Sequence, residues 1–376
     1  MDDKAQNKLR IKFLGAIGTA TGSCTLLEYS TPDKLNYYLV DIGSYQNEKQ
    51  ADNTQKILKD YAPKLSKIFI THAHLDHIGL LPYLVNYGFK GEVWCTKATM
   101  ELMKVMLEDA IKIQIPDIQP NSIIKEINFT CIDDEAEHPE FVFKKSHIPL
   151  APCLFVNITR SAHILGSVSF NFELVEQVET DIPIKDKEWI HIHFSGDIGP
   201  VSEAHIPNIL FKHHHIPFPS SKRKYIVLES TYGGHNRDKT SYTFDKRIEK
   251  LGEIIEKAFK KGQTIIIPAF ALDRAQQLLV DLYYWRKHAS LEFKKFCAET
   301  IKWTQLLSGN NEGKKLENKI ISEISGMEGI KKEALKKNPF VKDLPSELQD
   351  ELLSGWDMKL DIEIESPLIN EINNIY

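Results

Sequence analysis

The chain has 376 residues, of which 42% are hydrophobic and 26% are charged, and these values exclude wholesale disorder. Its 47 basic and 52 acidic side chains give a net charge of −5, so any polyanion must bind at a local site rather than to a global positive field. No apolar run reaches the roughly 18 to 20 residues of a membrane span, and the charged start lacks the apolar core of a secretory signal, which favours a cytoplasmic protein without a membrane segment.

The first part of the chain, up to about residue 200, is expected to be rich in short strands. Apolar and polar residues alternate with period 2, which is typical of strands with one covered face. This pattern predicts strands at residues 11–13, 38–42, 67–71, 168–174 and 190–194. The stretch 168–174 is predicted to be half-buried. His191 and His193 lie on the polar face of their strand, and we expect that face to be exposed rather than to supply metal ligands.

From about residue 225 the pattern changes to alternating strands and helices. Buried strands are predicted at 225–228 and 264–267, and amphipathic helices at 244–258 and 275–282. A β-α-β-α order is typical of a small parallel α/β unit. Residues 289–358 are rich in Lys and Glu and are interpreted as a charged helical insertion with solvated faces.

The segment Thr71–His77 carries the strongest chemical signal, because three histidines and an aspartate follow a buried strand within seven residues. In an extended stretch His72 and His74 point the same way, so they can share one metal ion. Asp76 and His77 lie where a helical pattern begins and can face a second position. A helix start disfavours imidazolium, which should keep His77 in its neutral, ligating form. The alternative is a polar loop with solvated histidines, but such a density of ligands favours a metal site.

The order of several motifs resembles the metallo-β-lactamase superfamily. They are Asp41-Ile42-Gly43, the 72–77 segment, Ala162-His163-x-x-Gly166-Ser167 and Ser195-Gly196-Asp197. Two later motifs, at 229–233 and 268–276, resemble the β-CASP nucleases, a branch that includes the endonuclease of pre-mRNA 3′-end cleavage and its bacterial and archaeal relatives. The resemblance implies an α/β fold with a metallo-β-lactamase αββα sandwich over residues 1–224. A partial, Rossmann-like β-CASP domain would follow over 225–376, with the insertion at about 289–358.

The resemblance also implies a set of metal ligands for two zinc ions. The first zinc would be held by His72, His74 and His163, the second by Asp76 and His77, and Asp197 would bridge them. Asp41 would not bind metal itself but would orient the imidazole of a ligating histidine through a hydrogen bond. The implied activity is zinc-dependent hydrolysis of RNA phosphodiester bonds, with a metal-activated water as the nucleophile.

The remaining residues implied by the resemblance concern catalysis and substrate binding. Asp76, Asp197 and Glu229 are the expected catalytic residues, and Ser230 and Arg274 are expected to bind substrate. Glu229 stands in Glu-Ser-Thr-Tyr-Gly, the form typical of the RNA-processing branch. Arg274 could grip a backbone phosphate bidentately, although Asp273 beside it weakens this expectation.

Two departures from the family leave alternatives open. The family has two further histidine motifs after the β-CASP part, and this sequence does not contain them, so it is expected to be truncated at its C-terminus or degenerate and could hold one zinc instead of two. The first alternative is a catalytically inactive subunit that binds RNA or forms a homo- or heterodimer with an intact β-CASP protein. A weaker alternative is a hydrolase of small esters or thioesters, against which the β-CASP motifs count.

Overall fold

The computed structural model of the protein describes residues 7–45, 48–114, 119–132, 148–175, 189–199, 223–236, 243–261, 263 and 265–288. These residues fall into two compact units. The first contains the described residues up to 236 together with 271–273, and the second contains those of 243–270 and 274–288. The boundary expected at 224/225 stays a prediction, and the insertion expected at 289–358 lies outside the described residues.

The first unit contains a six-stranded mixed sheet. Its strands lie in chain order and are β1 (Lys8–Phe13), β2 (Thr25–Ser30), β3 (Leu35–Val40), β4 (Leu65–Phe69), β5 (Glu92–Cys95) and β6 (Asn128–Cys131). The strands β1 to β3 pair antiparallel, whereas β3 to β6 pair parallel. Parallel pairing requires crossover connections, and these are helical.

Helices connect and cover the parallel strands of this sheet. They are α1 (Glu48–Tyr61), a 3-10 turn (Ala62–Lys64), α2 (Leu75–Ile78), α3 (Leu81–Asn86), α4 (Lys97–Gln114) and α5 (Pro120–Ile124). Leu26, Leu39 and Ile68 point away from the second sheet and are still fully buried. The first sheet is therefore covered on both faces, as parallel strands usually are. None of the helices in the described residues is both long and apolar enough to cross a membrane.

A second sheet of five strands belongs to the same unit. Its strands are β7 (Ile148–Ala151), β8 (Leu154–Arg160), β9 (Val168–Val175), β10 (Trp189–Phe194) and β11 (Arg223–Val227). They lie in the order β11-β10-β9-β8-β7, with only β10 and β11 parallel. Strand β11 is thus part of this sheet. Tyr225 and Ile226 are 50% and 61% exposed, so the prediction that this strand is buried is wrong.

An aromatic core joins the two sheets face to face. Phe69 of the first sheet makes edge contacts with Phe170 and Phe172 of the second, with ring centroids 5.3 and 5.1 Å apart. One cluster of buried residues contains side chains from β2 to β5 and from β8 to β10. The predicted α/β class and the packing of two sheets against each other are confirmed.

The polar face of the second sheet is buried, contrary to expectation. Every residue of β9 is buried, so the prediction of a half-buried strand is wrong. His191 is also buried and lies 3.4 Å from Glu173, which accepts a hydrogen bond of 2.8 Å from Asn157. His193 lies 2.6 Å from the side-chain oxygen of Asn171. These histidines make polar contacts within the sheet; His191 is buried and His193 is partly buried.

The described part of the second unit is a helix pair formed by α6 (Phe244–Lys260) and α7 (Arg274–His288). Trp285 is buried between them, and Arg247 holds Asp281 bidentately at 2.8 and 2.7 Å. The strand predicted at 264–267 is wrong, because residues 265–270 form no strand and Ile266 is 86% exposed. The Rossmann-like arrangement of this part therefore stays a prediction.

Candidate metal centre

Four short segments bring the expected ligands together in the first unit. Asp41 directly follows β3, and the 72–77 segment follows β4, so both lie at the same edge of the first sheet. His163 lies between β8 and β9, and Asp197 follows β10, so these two come from the second sheet. The candidate centre is therefore built where the two sheets end side by side.

Four ligating atoms surround a single position. His72 Nε2 and His163 Nε2 each lie 3.1 Å from His74 Nδ1, and Asp197 Oδ2 lies 3.4 Å from His163 Nε2 and 3.8 Å from His72 Nε2. All four atoms lie within 4.8 Å of one another. Zn–N bonds of about 2.0 to 2.1 Å in a tetrahedron require ligand atoms about 3.3 to 3.4 Å apart. The pairs at 3.1 to 3.4 Å approach this spacing, other pairs are wider, and the four atoms together suit one metal ion.

A second candidate metal position lies at the other oxygen of Asp197, between Asp197, His77 and Asp76. Asp197 Oδ1 is 3.3 Å from His77 Nε2, which is 3.8 Å from Asp76 Oδ2. The two oxygens of one carboxylate therefore face the two groups of expected ligands, which is the geometry that a bridging ligand needs. Within the described residues this second position has three candidate ligands, compared with four at the first.

The two buried histidines of the cluster have opposite protonation tendencies in the metal-free protein. Burial, together with the neighbouring histidines, holds the pKa of His72 well below its usual value of 6.5. Burial also lowers the pKa of His77, but the carboxylates of Asp41 and Asp197 outweigh it and raise this pKa well above 6.5. The expectation that the helix start keeps His77 neutral is therefore wrong without metal, because two carboxylates act more strongly than one four-residue helix.

Burial and the neighbouring charges also shift the pKa values of the carboxyl groups of Asp76 and Asp197. Burial raises the pKa of Asp76 above its usual value of 3.8, and the nearby charge of Asp197 adds to this, while His77 opposes it. Burial acts in the same direction on Asp197, but the hydrogen bond from His77 and the attraction of the surrounding histidines lower its pKa below 3.8. Asp197 is therefore the carboxylate that stays ionised and available to a cation.

Asp41 lies beside the histidine cluster, and both oxygens of its carboxylate accept hydrogen bonds. It is 1% exposed and accepts hydrogen bonds from His77 Nδ1 at 2.7 Å and from the Ser23 hydroxyl at 3.1 Å. The backbone N–H of Thr71 at 2.9 Å and the Thr71 hydroxyl at 3.0 Å provide the remaining bonds. The bond to Nδ1 of His77 leaves Nε2 of that ring free to face the second position.

The loop that carries His163 is held by backbone and hydroxyl contacts. The Ser167 hydroxyl accepts the backbone N–H of His163 at 2.9 Å. The carbonyl of Gly166 accepts the hydroxyls of Thr96 and Thr99 at 2.8 and 3.0 Å. Gly166 has a φ of +77°, a conformation that favours glycine. The loop is thus fixed to the start of α4, and His163 is fixed with it.

Glu229 lies next to the loop of Asp197. Its carboxylate accepts the backbone N–H of Ile198 at 3.3 Å and that of Thr231 at 3.2 Å, and its own N–H donates to the Ser195 hydroxyl at 3.1 Å. Ser230 is exposed and its carbonyl accepts the N–H of Gly233 in a turn. Arg274 begins α7 in the second unit and donates to the side chain of Gln277 at 3.0 Å. The catalytic and substrate-binding roles expected of these residues stay predictions.

Sequence reasoning gave no role to Thr71, Ser23 or Ser195, although each contacts the site. Thr71 stands directly before the first histidine of the cluster, and that position was the signal that could have identified it. Ser195 stands in the Ser195-Gly196-Asp197 motif, but its contact to Glu229 joins positions 34 apart. Ser23 carries no comparable local signal, because its contact to Asp41 joins positions 18 apart.

Comparison with known proteins gives a consistent set of relatives. Residues 20–159 match the Metallo-beta-lactamase superfamily. The chain is 28% identical to Cleavage and polyadenylation specificity factor 73 of Drosophila melanogaster, over 77% of this chain and 38% of that protein. It is 28% identical to Ribonuclease TTHA0252 of Thermus thermophilus, over 73% of this chain and 55% of the ribonuclease. It is 30% identical to Transcription termination factor FttA of Thermococcus kodakarensis, over 61% of this chain and 32% of that factor. The chain spans about a third to a half of these relatives' lengths.

Proposed function

Residues 20–159 match the Metallo-beta-lactamase superfamily, and the chain is similar to a ribonuclease and to a cleavage and polyadenylation specificity factor; from this premise we propose that it is a zinc-dependent hydrolase of RNA phosphodiester bonds. The observation that carries the proposal is the convergence of His72, His74, His163 and Asp197 on one position, where their ligating atoms lie within 4.8 Å of one another. Three histidines and one carboxylate are a typical donor set for zinc.

The proposed roles follow from the contacts of each side chain. His72, His74 and His163 would hold a first ion and Asp76 and His77 a second, and Asp197, whose two oxygens face the two groups, would contribute to each. Bound zinc lowers the pKa of water and neutralises charge that builds on a phosphate. The chain's own residues orient these ligands, and the Glu229 carboxylate keeps the backbone next to Asp197 in place.

The choice of RNA rests on the relatives, because metal geometry alone suits several hydrolases. These relatives are a cleavage and polyadenylation specificity factor, a ribonuclease and a transcription termination factor. The Glu229–Gly233 motif adds support from within this chain. Ser230 and Arg274 are proposed to contact the substrate. A cytoplasmic location and the formation of a homo- or heterodimer are part of the same proposal.

A second candidate is a subunit that binds RNA or a relative without cutting RNA. It is favoured by the second metal position, which has only three candidate ligands within the described residues. Both candidates would bind metal, but only the nuclease would cleave RNA.

The test measures zinc content and cleavage of a labelled single-stranded RNA by the purified chain. Variants His74→Ala and Asp197→Ala should lose most of the zinc and lower cleavage by about 100-fold or more, a loss typical of removing charge stabilisation from an active site. His193→Gln is the matched control, because this histidine hydrogen-bonds Asn171 within the second sheet.

Unchanged cleavage in both ligand variants would overturn the proposed nuclease. Zinc binding without RNA cleavage by the wild type would instead support the non-catalytic subunit. Hydrolysis of a small ester or thioester in place of RNA would support the weakest alternative.

A further inference from the structure

We propose that the Thr71 hydroxyl is a positioning group that fixes the ring tautomer of His72, so that Nε2 of this ring faces the metal position. The inference rests on the proposed metal site and not on the identity of the substrate. Thr71 is the last residue before the histidine cluster and is 1% exposed, so water cannot replace its hydrogen bonds.

The geometry places one hydroxyl between a carboxylate and an imidazole. Thr71 Oγ1 lies 3.0 Å from each oxygen of Asp41 and 3.0 Å from His72 Nδ1. The backbone N–H of Thr71 also donates to Asp41, at 2.9 Å. A Cβ atom at Gly196 would stand 2.7 Å from Thr71 Cβ, which means that the backbone at 196 packs directly against this side chain. The position of Thr71 is therefore fixed by its hydrogen bonds to Asp41 and by the backbone of Gly196.

Counting hydrogens gives the direction of each bond. A hydroxyl has one hydrogen and can accept at its lone pairs, whereas an ionised carboxylate only accepts. Asp41 must therefore receive the single hydrogen of the Thr71 hydroxyl. His72 Nδ1 then has to be the donor in its contact with the same oxygen, which requires the hydrogen of the neutral ring to be on Nδ1.

The opposite tautomer would leave one contact without a hydrogen. With Nδ1 of His72 unprotonated, the Thr71 hydroxyl would have to donate to both His72 and Asp41. A buried polar contact without its hydrogen destabilises the folded protein. The chain therefore favours the tautomer whose free nitrogen, Nε2, faces His74 and Asp197.

The arrangement also gives Asp41 a double function. It accepts His77 Nδ1 directly at 2.7 Å and acts on His72 through Thr71. One buried carboxylate thus orients one ring from each group of expected ligands. Thr71 is the connection between them, which explains why a threonine hydroxyl is used where a valine of the same shape would fill the space.

The test compares Thr71→Val, which removes the hydroxyl, with Thr71→Ser, which keeps it. In two-bond ¹H–¹⁵N spectra of the metal-free protein, His72 of the wild type and of Thr71→Ser should carry its hydrogen on Nδ1. In Thr71→Val the other tautomer should appear. Zinc affinity, measured by competition with a chromophoric chelator, should fall about 10- to 100-fold in Thr71→Val and be restored to within a few-fold in Thr71→Ser.

Thr159→Val controls for placing valine at a buried threonine position, because Thr159 lies in β8 and receives a hydrogen bond from Asn171. A wild-type His72 protonated on Nε2 would overturn the inference even if Thr71→Val did not fold. Equal zinc affinity in wild type and Thr71→Val would also overturn it. A wild type that binds no zinc would overturn the proposed metal site, while the spectra would still decide the tautomer.

Discussion

Replacing Gly196 with alanine should damage the candidate metal centre by a displacement that can be worked out from the structure. Gly196 lies between Ser195 and Asp197 with a φ of +55°. An added Cβ would stand 2.7 Å from Thr71 Cβ and 3.0 Å from Thr71 Oγ1. Carbon atoms in contact are normally about 3.5 to 4.0 Å apart, so the two segments must separate by about 1 Å. Metal bonds tolerate deviations of about 0.2 Å, so Asp197 can no longer reach both positions.

The energetic effect has two parts that can be separated. Alanine in the left-handed region costs about 1 to 2 kcal/mol, and overpacking a filled site costs about 1 to 3 kcal/mol more. Gly18 is the matched control, because its φ is +69° and no atom lies within 4 Å of an added Cβ. Gly18→Ala therefore has the backbone strain without the collision.

Urea unfolding and zinc competition provide the two measurements. Gly196→Ala should lower the free energy of unfolding by about 2 to 5 kcal/mol and weaken zinc binding at least 10-fold. Gly18→Ala should lose only the strain energy and keep its zinc affinity. If both variants behaved alike in both assays, the close packing of Gly196 on Thr71 would not control the ligands and the reasoning would be refuted.

Two further predictions concern the core and the pH dependence. Phe69→Ala should lower the free energy of unfolding by about 3 to 5 kcal/mol, because this ring contacts Phe170 and Phe172 across the two sheets; a loss below 1 kcal/mol in urea titrations would contradict the aromatic core. The pKa of His77 is raised in the folded, metal-free protein, which EDTA provides. Its ion pairs should therefore stabilise this protein fully below pH 6.5, and the stabilisation should be lost as the pH rises through the folded-state pKa of His77. The stability difference between wild type and His77→Gln should therefore shrink from pH 6 to pH 9 or so, and a constant difference would disprove the pairing.

The part of the site that the sequence predicted best lies within one short segment. His72 and His74 are two positions apart after a strand, so their shared direction follows from backbone geometry alone, and their nitrogens lie 3.1 Å apart. His163 and Asp197 come from the other sheet. Only the resemblance to a family could suggest that they join the cluster, because their position depends on the pairing of β8, β9 and β10.

The errors in the fold have a common physical cause. Period-2 alternation predicted the strand at 168–174, but it could not show whether the polar face would be covered, and Glu173 and His191 are buried together. The apolar run at 264–267 was predicted to be a strand from local preference, yet a strand also needs a partner edge. No described strand pairs with residues 265–267. Burial and pairing are tertiary properties that a local pattern does not contain.

Backbone strain around the cluster supports the view that the fold is organised to hold ligands. Asp41 and Ala162 have φ values of +57° and +56°, a region that costs a residue with a Cβ about 1 to 2 kcal/mol. Each stands at a turn that directs a functional side chain, Asp41 its own carboxylate and Ala162 the following His163. Such strain persists only where the surrounding contacts exceed it. Here those contacts include the hydrogen bonds of Asp41 to Thr71 and His77. An ion bound by the cluster would add its binding free energy to the folded state alone, so zinc should stabilise this domain by more than the strain that its ligand loops contain.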